Sequence, residues 1–293
     1  RLSKTHSLGI LSNTEEGAFE WGIAKGKIPD IDWKSVVVSA HIGVVKPEKE
    51  ITVLMYHSIG DGDWKLSVSK QEFKKQIEYL KKEYNIVSLD KIVFYIKKEI
   101  NLPDKSVAIT FDDGYKDIYE EVFPVIKKEE IPIAIFLTTN QEKDENYRKL
   151  RAKNLERLSQ NELKEMQESG LVAIEAHGHK HLNLLEIAGD EKELSREIEE
   201  NRNLIEKNLN YRPRFYAYAY GSKNNKIMRY IEQKGFEAAF SISEGLIRPG
   251  ADLFSIKRVQ VDKAMNFLLF KMRLTGAVDL NRKFIDKVRK IWK

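Results

Sequence analysis

The sequence predicts an α/β fold, a parallel sheet with helices packed outside it, and three observations predict it. Short apolar, β-branched runs alternate at least five times with longer stretches of helical periodicity. Several of those runs are apolar or small at nearly every position, as in strands covered on both faces. The polar residues that break the pattern fall just after the runs, where parallel strands present ligand sites.

Composition narrows the function without naming it. The chain has 293 residues, 42% hydrophobic and 32% charged, enough to bury the core of one large domain or two smaller ones. Its net charge of +5 comes from 50 basic and 45 acidic residues, so the surface is mixed in sign. The small basic excess suits an anionic surface such as a cell wall but lacks the concentrated stripe of a nucleic-acid binder, and no nucleic-acid partner is expected. There are no cysteines, which excludes disulfides and thiolate metal sites. No run approaches the roughly 18 apolar residues of a membrane span. A chain beginning at Arg1 is expected to be trimmed or processed, with a signal peptide or anchor lost upstream.

Residues 1–48, interrupted by Gly9, Gly17, Gly22, Gly26, Pro29 and Pro47, read as an N-terminal extension of unknown role that packs on the main domain; Val36–Val38 and Ile42–Val45 are candidate short strands. The main domain is expected over 49–293. Ile51–Tyr56 is a buried strand that ends in His57 and the loop Gly60–Asp63. Ser69 and Glu72 form a capping box for a helix with Phe73, Ile77, Leu80 and Tyr84 as its stripe. After a short strand at Ile86–Val87, Ser88 caps a second helix. A strand over 105–111 leads to a helix over 116–128 and a strand over 131–137. The charged residues 141–157 read as a surface loop with some helix. A second capping box, Ser159 with Glu162, opens a helix stopped at Gly170, followed by a strand over 171–176. Helix over 190–208, strand over 214–219, helix over 223–234 closed by Gly235, and strand over 236–242 complete the alternation. Residues 262–293 carry Phe267, Leu268, Phe270 and Met272, then Phe284, Ile285, Val288 and Ile291 at helical spacing among basic residues. This basic amphipathic tail can pack on the barrel with a solvated face or lie on a membrane or an anionic wall.

Four strands end in residues with chemistry: His57; Asp112–Asp113; His177-Gly178-His179-Lys180-His181; and Tyr218-Ala219-Tyr220-Gly221. Asp112, Asp113 and Gly114 can be no more than the turn closing a strand. Three of the six histidines within five residues, together with a strand-end carboxylate pair, point instead to a metal site, because His-His-carboxylate is a zinc set that leaves a position open.

These residues also carry a resemblance. Thr110-Phe111-Asp112-Asp113-Gly114 matches the first motif of the NodB-type polysaccharide deacetylases (carbohydrate esterase family 4). His177-x-x-x-His181 resembles their second, and Phe215–Gly221 their third. Leu54-Met55-Tyr56-His57 and Ile256-Lys257-Arg258-Val259 resemble the branch that de-N-acetylates biofilm poly-β-1,6-N-acetylglucosamine. The likeness spans roughly residues 51–262. It implies a distorted (β/α) barrel, a divalent metal (zinc, with cobalt or nickel as alternatives), an N-acetylated polysaccharide substrate, and an extracellular or cell-surface location with peripheral wall or membrane association.

It implies roles as well. Asp113, His177 and His181 hold the metal, Asp112 is the general base, and the backbone N–H of Tyr220 receives the oxyanion. His57 is the general acid, since no histidine follows His181; its alternative is a core or supporting histidine. Arg258, expected at the end of the last strand, either pairs with Asp112 and keeps it ionised or makes a surface salt bridge. Tyr115 lines the pocket or packs on the next helix, and Tyr218 stacks on sugar rings or joins the core. His179 supports the ligands or faces the surface. Gly178, standing where the family has Ser or Thr, predicts a looser metal loop, and Ala219 replaces a usual proline. The other readings are a deacetylase of peptidoglycan, chitin oligomers or acetylated xylan, and a non-catalytic glycan-binding module of the same fold.

Overall fold

The computed structural model describes residues 7–10, 21–24, 49–140 and 156–276. The chain divides into two compact units, Arg1–Glu48 and Lys49–Lys293. In the first, β1 (Ser7–Ile10) pairs antiparallel with β2 (Trp21–Ala24). The candidate strands at Val36–Val38 and Ile42–Val45, most of the charged segment 141–157, and the apolar positions Phe284 to Ile291 lie outside the described residues.

The second unit is built on one parallel sheet. Its strands are β3 (Ile51–Tyr56), β6 (Asn85–Ile86), β7 (Ser106–Asp113), β8 (Ile133–Leu137), β9 (Val172–Ala176), β10 (Phe215–Ala217), β11 (Ala238–Phe240) and β12 (Val259–Gln260). A small separate ribbon pairs β4 (Ser58–Ile59) with β5 (Ser67–Val68). The spatial order is β11-β10-β9-β8-β7-β3-β12, with β6 joined to β7. The segment before β12 also bridges the far edge, through Ile256 opposite Phe240. The sheet therefore curls until its two edges meet on one stretch of chain, and the seam is a single bridge beside a two-residue strand. This is the distorted (β/α) barrel that the family resemblance implies.

Helices cover the outside. They are α1 (Lys70–Glu83), α2 (Leu89–Ile96), α3 (Phe123–Glu129), α4 (Gln160–Glu168), α5 (Glu191–Ser195), α6 (Asn201–Leu209), α7 (Asn225–Gln233) and α8 (Phe267–Leu274). The box at α4 is complete, with Ser159 and Glu162 each binding the other's backbone N–H. At α1 only half of the expected box forms: Ser69 accepts the Glu72 N–H, and the Glu72 carboxylate lies 3.5 Å from Lys75 instead. Ser88 precedes α2 without a side-chain capping bond. The helix expected over 116–128 is a π turn at Ile118–Val122 running into α3. Pro124 has no N–H to continue an α-helical ladder, which accounts for the break.

Side-chain alternation divides the core. Val107, Ile109 and Phe111 of β7 pack with apolar residues of α1, α3 and α4, while Ala108 packs on the other face with Phe136 and Phe240. Register then sets the heights of the polar residues. Tyr56 lies opposite Phe111, Asp113 opposite Leu137, and Leu137 opposite Ala176. His57, Asp112–Asp113 and His177 therefore emerge at one level on the carboxyl side of the sheet.

A buried acid sits on β9, away from these residues. Glu175 accepts hydrogen bonds from the Tyr211 hydroxyl (2.6 Å) and the N–H groups of Arg214 (2.8 Å) and Phe215 (2.7 Å). Burial pushes its carboxyl up to about 7 from an ordinary 4.5, against the pull of those bonds. Because the folded protein holds this proton where the unfolded chain releases it, stability falls as pH rises from about 4.5 to 7. Glu175→Gln is expected to remove up to about 3 kcal/mol of that fall, read by denaturant unfolding at pH 5 and pH 7.5.

Candidate metal centre

Successive strand residues point to opposite faces, so Asp112 and Asp113 cannot both serve one site on an extended backbone. The chain resolves this at Asp113, whose φ is +73°, followed by Gly114 at +78°. The left-handed turn brings the second carboxylate round to the side of the first. A Cβ on Gly114 would lie 2.4 Å from Leu137, so glycine is required there by space as well as by conformation.

Asp113, His177 and His181, all buried, each offer one ligand atom within 4.8 Å of the others. His177 Nε2 lies 3.7 Å from Asp113 Oδ1, and His181 Nε2 lies 3.4 Å from it. His177 Nδ1 donates to the Ala217 carbonyl at 2.8 Å, which leaves Nε2 as the lone-pair nitrogen facing the centre. Burial lowers the His177 pKa despite the nearby Asp112 and Asp113 charges, favouring the neutral ring that a ligand must be. His181, at φ +59°, sets its ring edge-on to His177 (centroids 4.8 Å apart) and to Tyr220 (4.6 Å). One carboxylate and two imidazoles converging in a buried pocket fit a divalent ion.

Asp112 stands beside this set. Its Oδ2 lies 3.8 Å from His177 Nε2. Arg258 grips it with both arms, Nη1 to Oδ1 at 2.6 Å and Nη2 to Oδ2 at 2.8 Å. Arg258 is fully buried, its Nε bonded to the Ser241 carbonyl and its guanidinium over the Phe136 ring, so the pair is no surface salt bridge. It also precedes β12 rather than ending it. Burial alone would raise the Asp112 carboxyl; the Arg258 charge and hydrogen bonds, with His177 and His57, hold it below its ordinary value.

His57 follows β3 and is 7% exposed, its ring edge-on to Trp64 at 5.9 Å. The Ser58–Ser67 hydroxyl contact (2.9 Å) and the Ser58 bond to Asp117 (2.5 Å) anchor its loop. Burial pushes the Asp117 carboxyl up to about 6, against the bonds from Ser58 and Ile59. A cavity of about 890 Å³ opens above the centre, lined by His57, Trp64, Asp112, His177, His181 and Tyr220 among others. That volume suits a bound sugar segment.

Other expectations need correction. Tyr115 does not line the cavity; it is 2% exposed behind Trp64, with the Arg157 guanidinium stacked on its ring. Tyr218 reaches the cavity wall, yet its ring is buried against Tyr216 and its hydroxyl donates to the Phe254 carbonyl, so it is no open stacking platform. Tyr220 is the aromatic residue exposed at the rim, at φ +57°. His179 turns away from the centre, its Nδ1 3.0 Å from the Thr139 hydroxyl. The loop at Gly178 is not loose. Asn201 Oδ1 accepts the N–H groups of His177 and Gly178, and Glu197 accepts those of Lys180 and Leu182. Sequence reasoning missed these two; the signal was a pair of polar residues four apart among the apolar positions Leu194, Ile198 and Ile205.

Comparison with known proteins bears on the family and the fold. The polysaccharide deacetylase family model matches residues 99–239. A poly-β-1,6-N-acetyl-D-glucosamine N-deacetylase of Staphylococcus aureus is 31% identical over 211 residues, covering 69% of this chain and 71% of its own. The Staphylococcus epidermidis protein of the same name is 34% identical over 203 residues, covering 67% and 68%. Among solved structures, IcaB from Ammonifex degensii superposes with a TM-score of 0.68 at 25% identity, over 77% of this chain and 97% of that one. The Streptococcus pyogenes deacetylase PplD shares the fold, with a TM-score of 0.65 at 20% identity over 76% and 97%.

The buried ion pair makes a direct prediction. Arg258→Met leaves Asp112 without its counter-charge and is expected to cost about 3–5 kcal/mol in denaturant unfolding. Asp112→Asn with Arg258→Met should cost less than the single change, since no carboxylate is then stranded.

Proposed function

The chain belongs to the polysaccharide deacetylase family, a family of metal-dependent enzymes acting on acetylated polysaccharides, and on that premise we propose that it removes N-acetyl groups from poly-β-1,6-N-acetylglucosamine. The observation that carries the reading is a carboxylate–bis-imidazole set with a second, arginine-held carboxylate beside it, at the floor of an open cavity. A glycan-binding module would have no use for that extra acid. The named activity of the staphylococcal relatives supports the β-1,6-linked substrate.

Asp113, His177 and His181 would hold the ion, which we take to be zinc. When bound, it supplies Lewis-acid polarisation of the acetyl carbonyl and a lowered pKa for the attacking water. Asp112, kept ionised by Arg258, takes that water's proton. As the water oxygen bonds to the carbonyl carbon, the Tyr220 N–H receives the developing oxyanion. His57, which lines the same cavity as Tyr220, delivers a proton to the nitrogen as the C–N bond breaks, giving acetate and a free amine. The substrate is an extracellular polymer, so the reaction belongs at the cell surface, where the basic excess suits association with the anionic wall or membrane.

Acetate release from poly-β-1,6-N-acetylglucosamine oligomers is expected to exceed release from chitin oligomers, to stop with chelator and to return with zinc. Preference for chitin would move the substrate assignment to another member of the family. Asp112→Asn should keep its metal and lose roughly 100-fold or more in turnover. His57→Ala should lower kcat far more than it changes KM. A fully active Asp112→Asn variant would end the assignment of the base.

A further inference from the structure

The metal loop is held largely through its backbone. Gly178 has no side chain, and the side chains of His177 and His181 are directed at the centre. His181 is moreover held at φ +59°, a conformation that residues other than glycine seldom adopt unless their surroundings enforce it. Besides the bond from His177 Nδ1 to the Ala217 carbonyl, the backbone of the loop is restrained from other elements.

Residues after β8 hold part of it, with the Asn140 N–H donating to the His179 carbonyl at 2.7 Å, and one turn of helix holds the rest. The π turn Arg196–Glu200 joins α5 to α6, and Glu197 and Asn201, four residues apart, share the face against the loop. Both are buried, at 1% and 0% exposure. Glu197 Oε2 accepts the Lys180 N–H at 2.8 Å, and Oε1 accepts the Leu182 N–H at 2.9 Å. The Glu197 backbone carbonyl accepts the His179 N–H at 2.8 Å. Asn201 takes the N–H groups of His177 (3.1 Å) and Gly178 (3.2 Å) on one oxygen. Its nitrogen donates to the Leu137 carbonyl on β8 and to the Thr139 hydroxyl, each at 3.0 Å. The fit is close from the other side too: a Cβ on Gly178 would lie 2.3 Å from Glu197 Oε1. The glycine and the glutamate are thus matched, since any side chain at 178 would occupy the space the carboxylate uses.

We propose that Glu197 is a positioning residue for the metal centre, holding the loop from His179 to Leu182 so that His181 presents its nitrogen to the ion. It touches neither substrate nor ion and acts through the backbone of a ligand. The inference rests on the metal-binding reading of Asp113, His177 and His181, and goes beyond it by assigning the loop's geometry to a side chain on another element.

The test is zinc affinity of the full chain, measured by competition with a chromogenic chelator, alongside thermal unfolding of the metal-free protein. Partners that orient metal ligands typically contribute about 10–100-fold in affinity. Glu197→Ala is expected to weaken zinc binding by that factor. Glu197→Gln keeps one acceptor oxygen but turns an NH2 toward a backbone N–H, and is expected to weaken binding by a smaller factor. In the loaded Gln variant KM should be unchanged. Glu175→Gln, which alters an equally buried carboxylate on β9, should leave zinc affinity unchanged. If Glu197→Ala fails to fold, the Gln variant decides alone. Zinc affinity within twofold of the parent in a folded Glu197 variant overturns the proposal, as does an equal loss in Glu175→Gln. A parent chain that binds no zinc would instead overturn the metal-site reading itself.

Discussion

A β-strand cannot aim two consecutive side chains at the same point, and this molecule needs it to. Asp112 and Asp113 lie at the end of a strand whose alternation is otherwise kept, with Phe111 toward the helices and Ala108 toward the opposite face. Left-handed backbone at Asp113 and Gly114 swings the second carboxylate to the first. That local reversal separates the two acids by role as well as direction. Asp112 stays on the strand's regular face, within reach of Arg258, while Asp113 turns to the histidines.

The parallel sheet makes this local event useful, because it brings residues distant in sequence to the same height. Tyr56 pairs with Phe111, and Asp113, Leu137 and Ala176 share one rung. The residues just beyond those rungs are the ones that meet in the cavity. Arg258 arrives from the seam, where the chain spans both edges of the sheet, so the counter-charge of Asp112 depends on closure of the barrel. A full positive charge buried at the seam would be unfavourable alone; paired bidentately, and bonded to Ser241, it ties the last strand to the middle of the sheet.

Much of this was legible in the residues. Apolar runs mark the strands, and acids and histidines at their ends mark the candidate site, because buried carboxylates demand a partner. Other features were hidden by their nature. The Asp112–Arg258 pair spans 146 positions of sequence, and only closure of the sheet makes it buried rather than superficial. Tyr115 and Tyr218 follow or flank the motifs, so position alone suggested contact with substrate, whereas packing against Trp64 and Tyr216 fills those places with core. Glu197 and Asn201 were concealed in a helix that reads as ordinary, since hydrogen bonds to main-chain groups leave no mark in a motif. The π turn at Ile118–Val122 follows from Pro124, which cannot donate to the helical ladder.

Three residues of the site other than glycine, Asp113, His181 and Tyr220, adopt left-handed backbone. Each such residue costs roughly 1–2 kcal/mol relative to an ordinary conformation, and glycine would relieve it. The backbone would therefore be relieved by glycine at those places in the candidate centre, and selection for thermal robustness alone would tend to dismantle it.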